Sequence, residues 1–336
     1  MKLLLIIFNL LILANIIKYK KTISKKFNLI LHSNKKTIHK RESYLLGGII
    51  LFITFLLNYF YLLTYENQNY YYNFFIISCF FLISQYDDIL KISPSKRIFF
   101  TGMVALFAIY FDNALSIKTL NFYYLENYYF PESFLMNFVF PTLCIIVLVN
   151  AFNFIDGIDG LASLIGLSII IYLLVKNFEL FNYFYSIIAV LTILIFLNLR
   201  KSVFLGDSGN YLISILICCI LLKENYYSPN LYYAEEIFLL LFVPGLDMIR
   251  LFGKRIINKK NPLLGDTDHL HHKLYFNFGK LKTLFIYVLM VNLPIYIFYF
   301  NNNFLGIVLV FLFIFYCFLI FYLSKKNNMG TKLKKL

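Results

Sequence analysis

The side chains able to do chemistry fall in a few clusters within an otherwise apolar chain. In Asn150-Ala-Phe-Asn-Phe-Ile-Asp-Gly-Ile-Asp-Gly160, two amides and two carboxylates recur at every third residue, and a glycine follows each carboxylate. Asp87 and Asp88 close one apolar run. Phe204-Leu-Gly-Asp-Ser-Gly-Asn210 opens another, and His269-Leu-His-His272 shares a basic stretch with Arg250, Lys254, Arg255, Lys259 and Lys260. Acids at the mouth of a membrane helix are costly to keep and point to function. Adjacent carboxylates repel, so a neighbouring cation keeps both ionised. Mg2+ suits them, because it takes hard oxygen ligands and usually only one or two protein carboxylates beside phosphates. Asp207, between Gly206 and Gly209, adds a carboxylate to a helix start whose backbone N–H groups hold anions. Imidazoles among lysines and arginines read as a diphosphate clamp. Their spacing is not the His-Glu-x-x-His of zinc hydrolases. Taken alone, each cluster has a plainer explanation: a solvated helix end for Asp87-Asp88, an N-cap for Asp156, Asp207 or Ser208, and membrane-orienting charge for the lysines.

Spacing constrains the backbone that carries them. Three residues turn an α-helix by roughly 300°, so Asp156 and Asp159 can share a face while Asn150 and Asp159 diverge by about 180°. To aim both at one ligand, the chain must break near Asp156-Gly157, or tighten into a 3₁₀ turn. Upstream, Lys35-Lys36-Thr-Ile-His39-Lys40-Arg41 precedes Gly47-Gly48, a pair that permits close approach of a ligand or a helix.

The elements that must position these groups are membrane helices. The chain has 336 residues and is 60% hydrophobic, where soluble domains are nearer half. Runs of about 20 apolar residues predict an all-α, polytopic membrane protein. Eleven spans are expected: roughly 3–17, 44–64, 70–86, 98–116, 134–151, 158–175, 180–197, 210–222, 236–252, 283–300 and 304–323. The inner half of the ninth, with Pro244, Gly245, Asp247 and Arg250, is not expected to face lipid. The first is followed by no small-residue cleavage site, unlike a signal peptide. Residues 1–324 read as one membrane domain and 325–336 as a basic tail.

With the N-terminus outside, every Lys and Arg except Lys2, Lys118, Lys176 and Lys223 falls on the inner side, while acidic residues divide almost evenly. That is the positive-inside pattern. It accounts for the net charge of +14, so nucleic acid is not expected as a partner. Asp87-Asp88, Asn153 to Asp159, Asp207, Asp247, Asp266-Thr-Asp268 and the histidines then all land on the cytoplasmic side. The count did not require this. The five cysteines sit in apolar runs and read as small hydrophobes. No Ser-His-Asp set, Walker motif or reactive thiol is present, and the Asp-Gly-x₂-Ala-Arg motif of CDP-alcohol phosphotransferases fails at Asp156-Gly157.

Asp87-Asp88, the stretch from Asn150 to Ala162, Phe204-Leu-Gly-Asp-Ser-Gly and His269-Leu-His-His272 together resemble the polyprenyl-phosphate N-acetylhexosamine-1-phosphate transferases, in order and spacing, over residues 36–274. The resemblance implies an eleven-helix enzyme of the bacterial inner membrane with a cytoplasmic active site. It implies transfer of a sugar 1-phosphate from a UDP-N-acetylhexosamine to undecaprenyl phosphate, releasing UMP, with Mg2+ or Mn2+. A homodimer within the membrane lipid is allowed. The His-Leu-His-His form looks like the branch that starts O-antigen or teichoic acid rather than the peptidoglycan branch. On this reading Asp87, Asp88, Asp156, Asp159, His271 and His272 are catalytic. Lys36, His39, Asn150, Asn153, Arg255 and His269 bind substrate, and Asp207 with Asp88 holds the metal. Tyr44 stands where the family commonly has Pro, Thr267 where it often has Arg, and Asn210 where Ser is frequent. Two rivals are a phospho-MurNAc-pentapeptide transferase and a secondary transporter; the latter places acids near mid-membrane, within repeated halves.

Overall fold

Away from water a backbone must satisfy its own hydrogen bonds, and long apolar runs do so as helices. The computed structural model describes residues 2–31, 43–65, 71–228, 231–263 and 268–333. Its α-helices are α1 (Lys2–Lys18), α2 (Lys20–Lys26), α3 (Gly47–Tyr65), α4 (Tyr71–Leu90), α5 (Pro94–Phe111), α6 (Phe140–Ile155), α7 (Leu161–Lys176), α8 (Phe181–Leu199), α9 (Gly206–Tyr227), α10 (Ala234–Ile257), α11 (Leu270–Phe278), α12 (Lys280–Phe300) and α13 (Leu305–Leu333). Two short antiparallel ribbons depart from an all-α architecture: β1 (Ile30–Leu31) with β2 (Ser43–Tyr44), and β3 (Thr119–Leu120) with β4 (Tyr128–Tyr129).

Every expected span coincides with a helix, and α2 and α11 are additional. Among the described residues, five helices are long and apolar enough to cross a bilayer: Gly47–Thr64, Leu135–Ile155, Gly206–Tyr227, Lys280–Phe300 and Leu305–Lys325. A sixth appears if α1 and α2, bent by 74°, are one span. The chain is therefore a multi-pass, nearly all-α membrane protein. The eighth span is longer than 210–222 suggests. α9 starts at Gly206 because its first N–H groups are capped from α4, and it continues past Leu222 because Lys223 is ion-paired to Asp112 at 2.9 Å.

α9 is the axis of the bundle and is almost wholly buried, packed by α3, α4, α6 and α7. Gly47-Gly48 lets α3 start hard against the chain entering α9. Their N–H groups donate to Phe204 O at 2.9 Å and Leu205 O at 3.0 Å, and a Cβ on Gly48 would lie 2.1 Å from Ser208 Oγ. Of the two approaches that this pair permits, the structure shows the helix. Gly206 has φ +74°, and a Cβ there would meet Asp88 Oδ2 at 2.8 Å. Gly206→Ala is therefore expected to destabilise the protein by about 1–3 kcal/mol through backbone strain, read as a fall in Tm.

Ionised groups sort to the two ends of the bundle. At one end lie the carboxyl end of α4, the start of α9, the 156–160 turn and α11. At the other, Lys176 closes α7 and meets Glu236 at the start of α10 at 2.8 Å. In the inner half of α10, past Pro244, Asp247, Met248, Leu251 and Arg255 are buried, as its polar residues predict. Cys218 and Cys219 are buried, Cys79 and Cys144 are half-buried, and Cys317 is exposed on α13.

Candidate active site

The last turn of α4 carries Asp87 and Asp88 side by side, with opposite duties. Asp87 is 2% exposed. Its Oδ1 accepts from Ile92 N at 2.8 Å and its Oδ2 from Arg97 Nη1 at 2.8 Å. Asp88 turns the other way and caps α9: Oδ1 accepts from Asp207 N and Oδ2 from Ser208 N, both at 3.0 Å. Neither Asp207 nor Ser208 is the cap that sequence alone allows. A carboxylate arriving from another helix takes that place, because the α9 amino terminus offers unpaired N–H groups and a positive dipole end.

Capping α9 in this way leaves the Asp207 side chain for other work. Its Oδ2 lies 3.6 Å from Lys91 Nζ. With the Asn153 amide turned to satisfy both neighbours, its nitrogen donates to Asp207 Oδ1 at 3.0 Å and its oxygen accepts from Arg97 Nη2 at 3.1 Å. Lys91 has φ +50°, the left-handed residue that ends α4 and returns its ammonium towards Asp88 and Asp207. Arg97, in the first turn of α5, spans Asp87 and Asn153. Arg97→Ala would strip a buried carboxylate of its partner, which costs about 3–5 kcal/mol. A lower Tm with reduced turnover is expected, and Arg97→Lys should restore stability more than turnover, because only the fork reaches both residues.

α6 remains helical to Ile155 and breaks at Asp156; α7 starts after Gly160, at φ +87°. Of the two backbone solutions open to the sequence, the break is the one adopted. Asp156, Gly157 and Asp159 line a polar cavity of about 160 Å3 with Asp88, Lys91 and Asp207. Burial, and then the carboxylates of Asp207, Asp88 and Asp159, push Asp156 well above the usual carboxylate range. Asp159 meets Lys280 at 2.9 Å, a cation from the start of α12. Asn150, two turns back along α6, donates to Ile146 O at 2.8 Å and does not line this cavity.

The histidines pack against the same turn. A Cβ on Gly157 would lie 2.1 Å from His271 Nε2 and 2.8 Å from His272 Cε1. His269 lies 5.5 Å from the Phe154 ring, and the Arg255 guanidinium 5.9 Å from the same ring. Arg255 also donates to Pro262 O at 2.7 Å. His269 Nδ1 meets Asp247 Oδ2 at 3.0 Å, while Asp247 Oδ1 accepts from Arg250 Nη2 at 2.8 Å and Tyr316 OH at 2.9 Å. Asp247 thereby ties α10, α11 and α13 together. His271 is fully buried, and neither ring nitrogen has a hydrogen-bond partner. Burial, then His272 and His269, hold it well below the usual imidazole value, so it is neutral at pH 7. Asp247, His269 and His271 also lie close enough to share an ion. The Arg250 guanidinium on the same carboxylate already supplies the positive charge there.

Asp87, Asp88, Asn153, Asp156, Asp159, Asp207, Arg255, His269, His271 and His272 thus gather at one end of the bundle. Lys36, His39 and Thr267 lie outside the described residues. Tyr44 pairs with Ile30 in the β1–β2 ribbon. Sequence reading passed over Lys91, Arg97, Lys280 and Tyr316. For Lys91 and Arg97 a signal existed: both follow Asp87-Asp88 closely, on the side opposite the apolar run.

The donor set around the 160 Å3 cavity fits a hard divalent cation. Its carboxylates face inward, and one further lining oxygen, Asn198 Oδ1, is buried without a hydrogen bond. Lone pairs remain on Asp88, since each oxygen spends only one on the cap.

Comparison with known proteins gives the family. Residues 70–225 match the model of glycosyl transferase family 4. The chain is 31% identical over 275 residues to the undecaprenyl-phosphate alpha-N-acetylglucosaminyl 1-phosphate transferase of Thermotoga maritima, covering 80% of this chain and 82% of that protein. The Escherichia coli K12 protein of the same name is 29% identical over 136 residues, 37% of this chain and 36% of that one. The decaprenyl-phosphate N-acetylglucosaminephosphotransferase of Mycolicibacterium smegmatis is 31% identical over 152 residues, 38% and 37% of the two chains. With four-fifths of its length aligned to such a relative, the chain belongs to glycosyl transferase family 4, the polyprenyl-phosphate hexosamine-1-phosphate transferases.

Proposed function

We propose that this chain transfers N-acetylglucosamine 1-phosphate from UDP-N-acetylglucosamine to undecaprenyl phosphate, forming the first lipid-linked sugar of a cell-envelope glycan such as an O-antigen. The observation that carries it is the convergence of Asp88, Asp156, Asp159 and Asp207 on one cavity, at the end of a membrane bundle where basic and imidazole side chains also collect. A lipid phosphate oxygen attacks the sugar-linked phosphorus. The bond from that phosphorus to the bridging oxygen breaks, and UMP leaves. Catalysis of this kind is chiefly positioning and charge neutralisation.

Asp207, with Asp88 behind it, would hold Mg2+ or Mn2+, which would supply neutralisation of the diphosphate charge. Lys91 adds a fixed cation beside it. Both oxygens of Asp87 are occupied by Ile92 N and Arg97, which supports an orienting role over a proton-accepting one. Neutral His271 borders the nucleotide-sugar pocket with His272, Arg255, Asn153, Asp156 and Asp159. On this reading the chain crosses a bacterial inner membrane eleven times with its N-terminus outside, and this end faces the cytoplasm. The charge asymmetry of the loops supports that orientation.

The test is UMP release by the purified protein in detergent. Release from UDP-N-acetylglucosamine that depends on undecaprenyl phosphate is expected. Release only from UDP-MurNAc-pentapeptide would select the peptidoglycan reaction instead. Solute uptake into vesicles without lipid turnover would select transport, a reading that acids gathered at one end of the bundle disfavour.

A further inference from the structure

The end of the bundle opposite the carboxylates holds a second cavity, of about 470 Å3, inside the roughly 300–1,000 Å3 range of small-molecule sites. Glu224 at its mouth is on the order of 25 Å along α9 from Asp207, at 1.5 Å rise per residue. The walls are apolar: Phe55 and Leu62 of α3, Ile77 of α4, Ile187 of α8, Leu216 and Ile220 of α9. The mouth carries Asn177, Glu179, Lys223 and Glu224.

Its charges do not cancel. Lys223 is committed to Asp112 at 2.9 Å and the nearby Lys176 to Glu236 at 2.8 Å. Glu224 accepts from Asn177 Nδ2 at 3.1 Å. Among the described residues, no basic side chain pairs with Glu224 or Glu179. Deeper in, Asn58 is 4% exposed and lines the cavity. Its Nδ2 donates to Thr54 O at 3.0 Å, which commits the amide's nitrogen to its own helix and leaves the oxygen as the group a ligand can use.

We propose that this cavity binds a primary-amine membrane lipid of the phosphatidylethanolamine type. An ammonium offers three N–H donors, matching the two carboxylates and the Asn58 oxygen, while an acyl chain lies along the apolar walls. Lys223 keeps N–H groups beyond the one given to Asp112, and these meet the lipid phosphodiester. A headgroup without an amine, such as that of phosphatidylglycerol, brings only negative charge to an acidic mouth.

The experiment supplies the protein in micelles doped with phosphatidylethanolamine or phosphatidylglycerol of identical acyl chains. Retained lipid is counted by native mass spectrometry. Retention of one phosphatidylethanolamine with a preference of about tenfold, a difference of 1.4 kcal/mol, is expected, along with its displacement by dodecylamine but not by dodecanol. The Glu179→Gln/Glu224→Gln variant, with its fold checked by thermal melting, should lose the preference. Equal retention of the two lipids by the unaltered protein, or an unchanged preference in the folded variant, would overturn the assignment. The dodecylamine and dodecanol arms need no variant, so they decide the matter even if the variant fails to fold. Dodecylamine that fails to displace the lipid would count against ammonium recognition.

Discussion

Asp207→Asn is expected to lower turnover by about 10²–10³, the usual cost of removing one electrostatic group from a preorganised site, with little change in Tm. The substitution keeps the shape of the side chain. The amide oxygen that replaces the carboxylate still accepts from Asn153, and the cap on α9 is untouched, because Asp88 makes it through the backbone N–H groups of residues 207 and 208. What disappears is a charge, and with it the attraction that Lys91 shares at 3.6 Å. Asp88→Asn is the informative contrast. An amide has one acceptor oxygen in place of two, so one capping bond to α9 is lost and its –NH2 faces a backbone donor. That variant should lose stability and turnover together. Initial rates of UMP release and thermal melting separate the two cases. Wild-type turnover in Asp207→Asn would remove Asp207 from the reaction.

The difference between these neighbours also shows what the sequence could and could not reveal. Helix existence was legible from apolar length. The break at Asp156 was one of two solutions open to the sequence, and the premise that led to it, Asn150 and Asp159 at one ligand, is not met at this cavity. The gathering of acids and histidines at one end followed from counting basic residues along the loops, and the geometry repeats it. The division of labour between Asp87 and Asp88 was not legible. It depends on where α4 ends relative to α9, a contact between residues 119 and 120 positions apart. Arg97 read as one more orienting charge, because nothing local says that its fork reaches Asn153. Tyr316 was hidden among 28 tyrosines, and only the packing of α13 on α10 brings its hydroxyl to Asp247. Asn150 shows the converse. Its spacing fits the motif, yet in a helix that stays α-helical to Ile155 it does not line the cavity, and one N–H of its amide goes to Ile146 O.

Asp156→Asn should move activity and stability in opposite directions. Turnover is expected to fall by on the order of 10² or more, as for loss of a group that faces the reacting phosphates. Thermal stability at pH 7.5 is expected to rise by about 0.5–2 kcal/mol, the common gain where a functional site stores strain. Asp156 is half-buried, and desolvation, followed by the carboxylates of Asp207, Asp88 and Asp159, holds its carboxyl well above 3.8. Between 3.8 and the raised native value, the folded protein therefore binds a proton that the unfolded chain has released. Stability from this group is full below 3.8 and drains away as pH rises through that window. An asparagine carries no such proton, so the variant's stability should vary less with pH, and its advantage over wild type should grow from acid to neutral pH. Melting curves across that range, in the absence of divalent ion and nucleotide, measure it directly. Parallel pH profiles for the two proteins would mean that Asp156 ionises freely and is not crowded by the other acids.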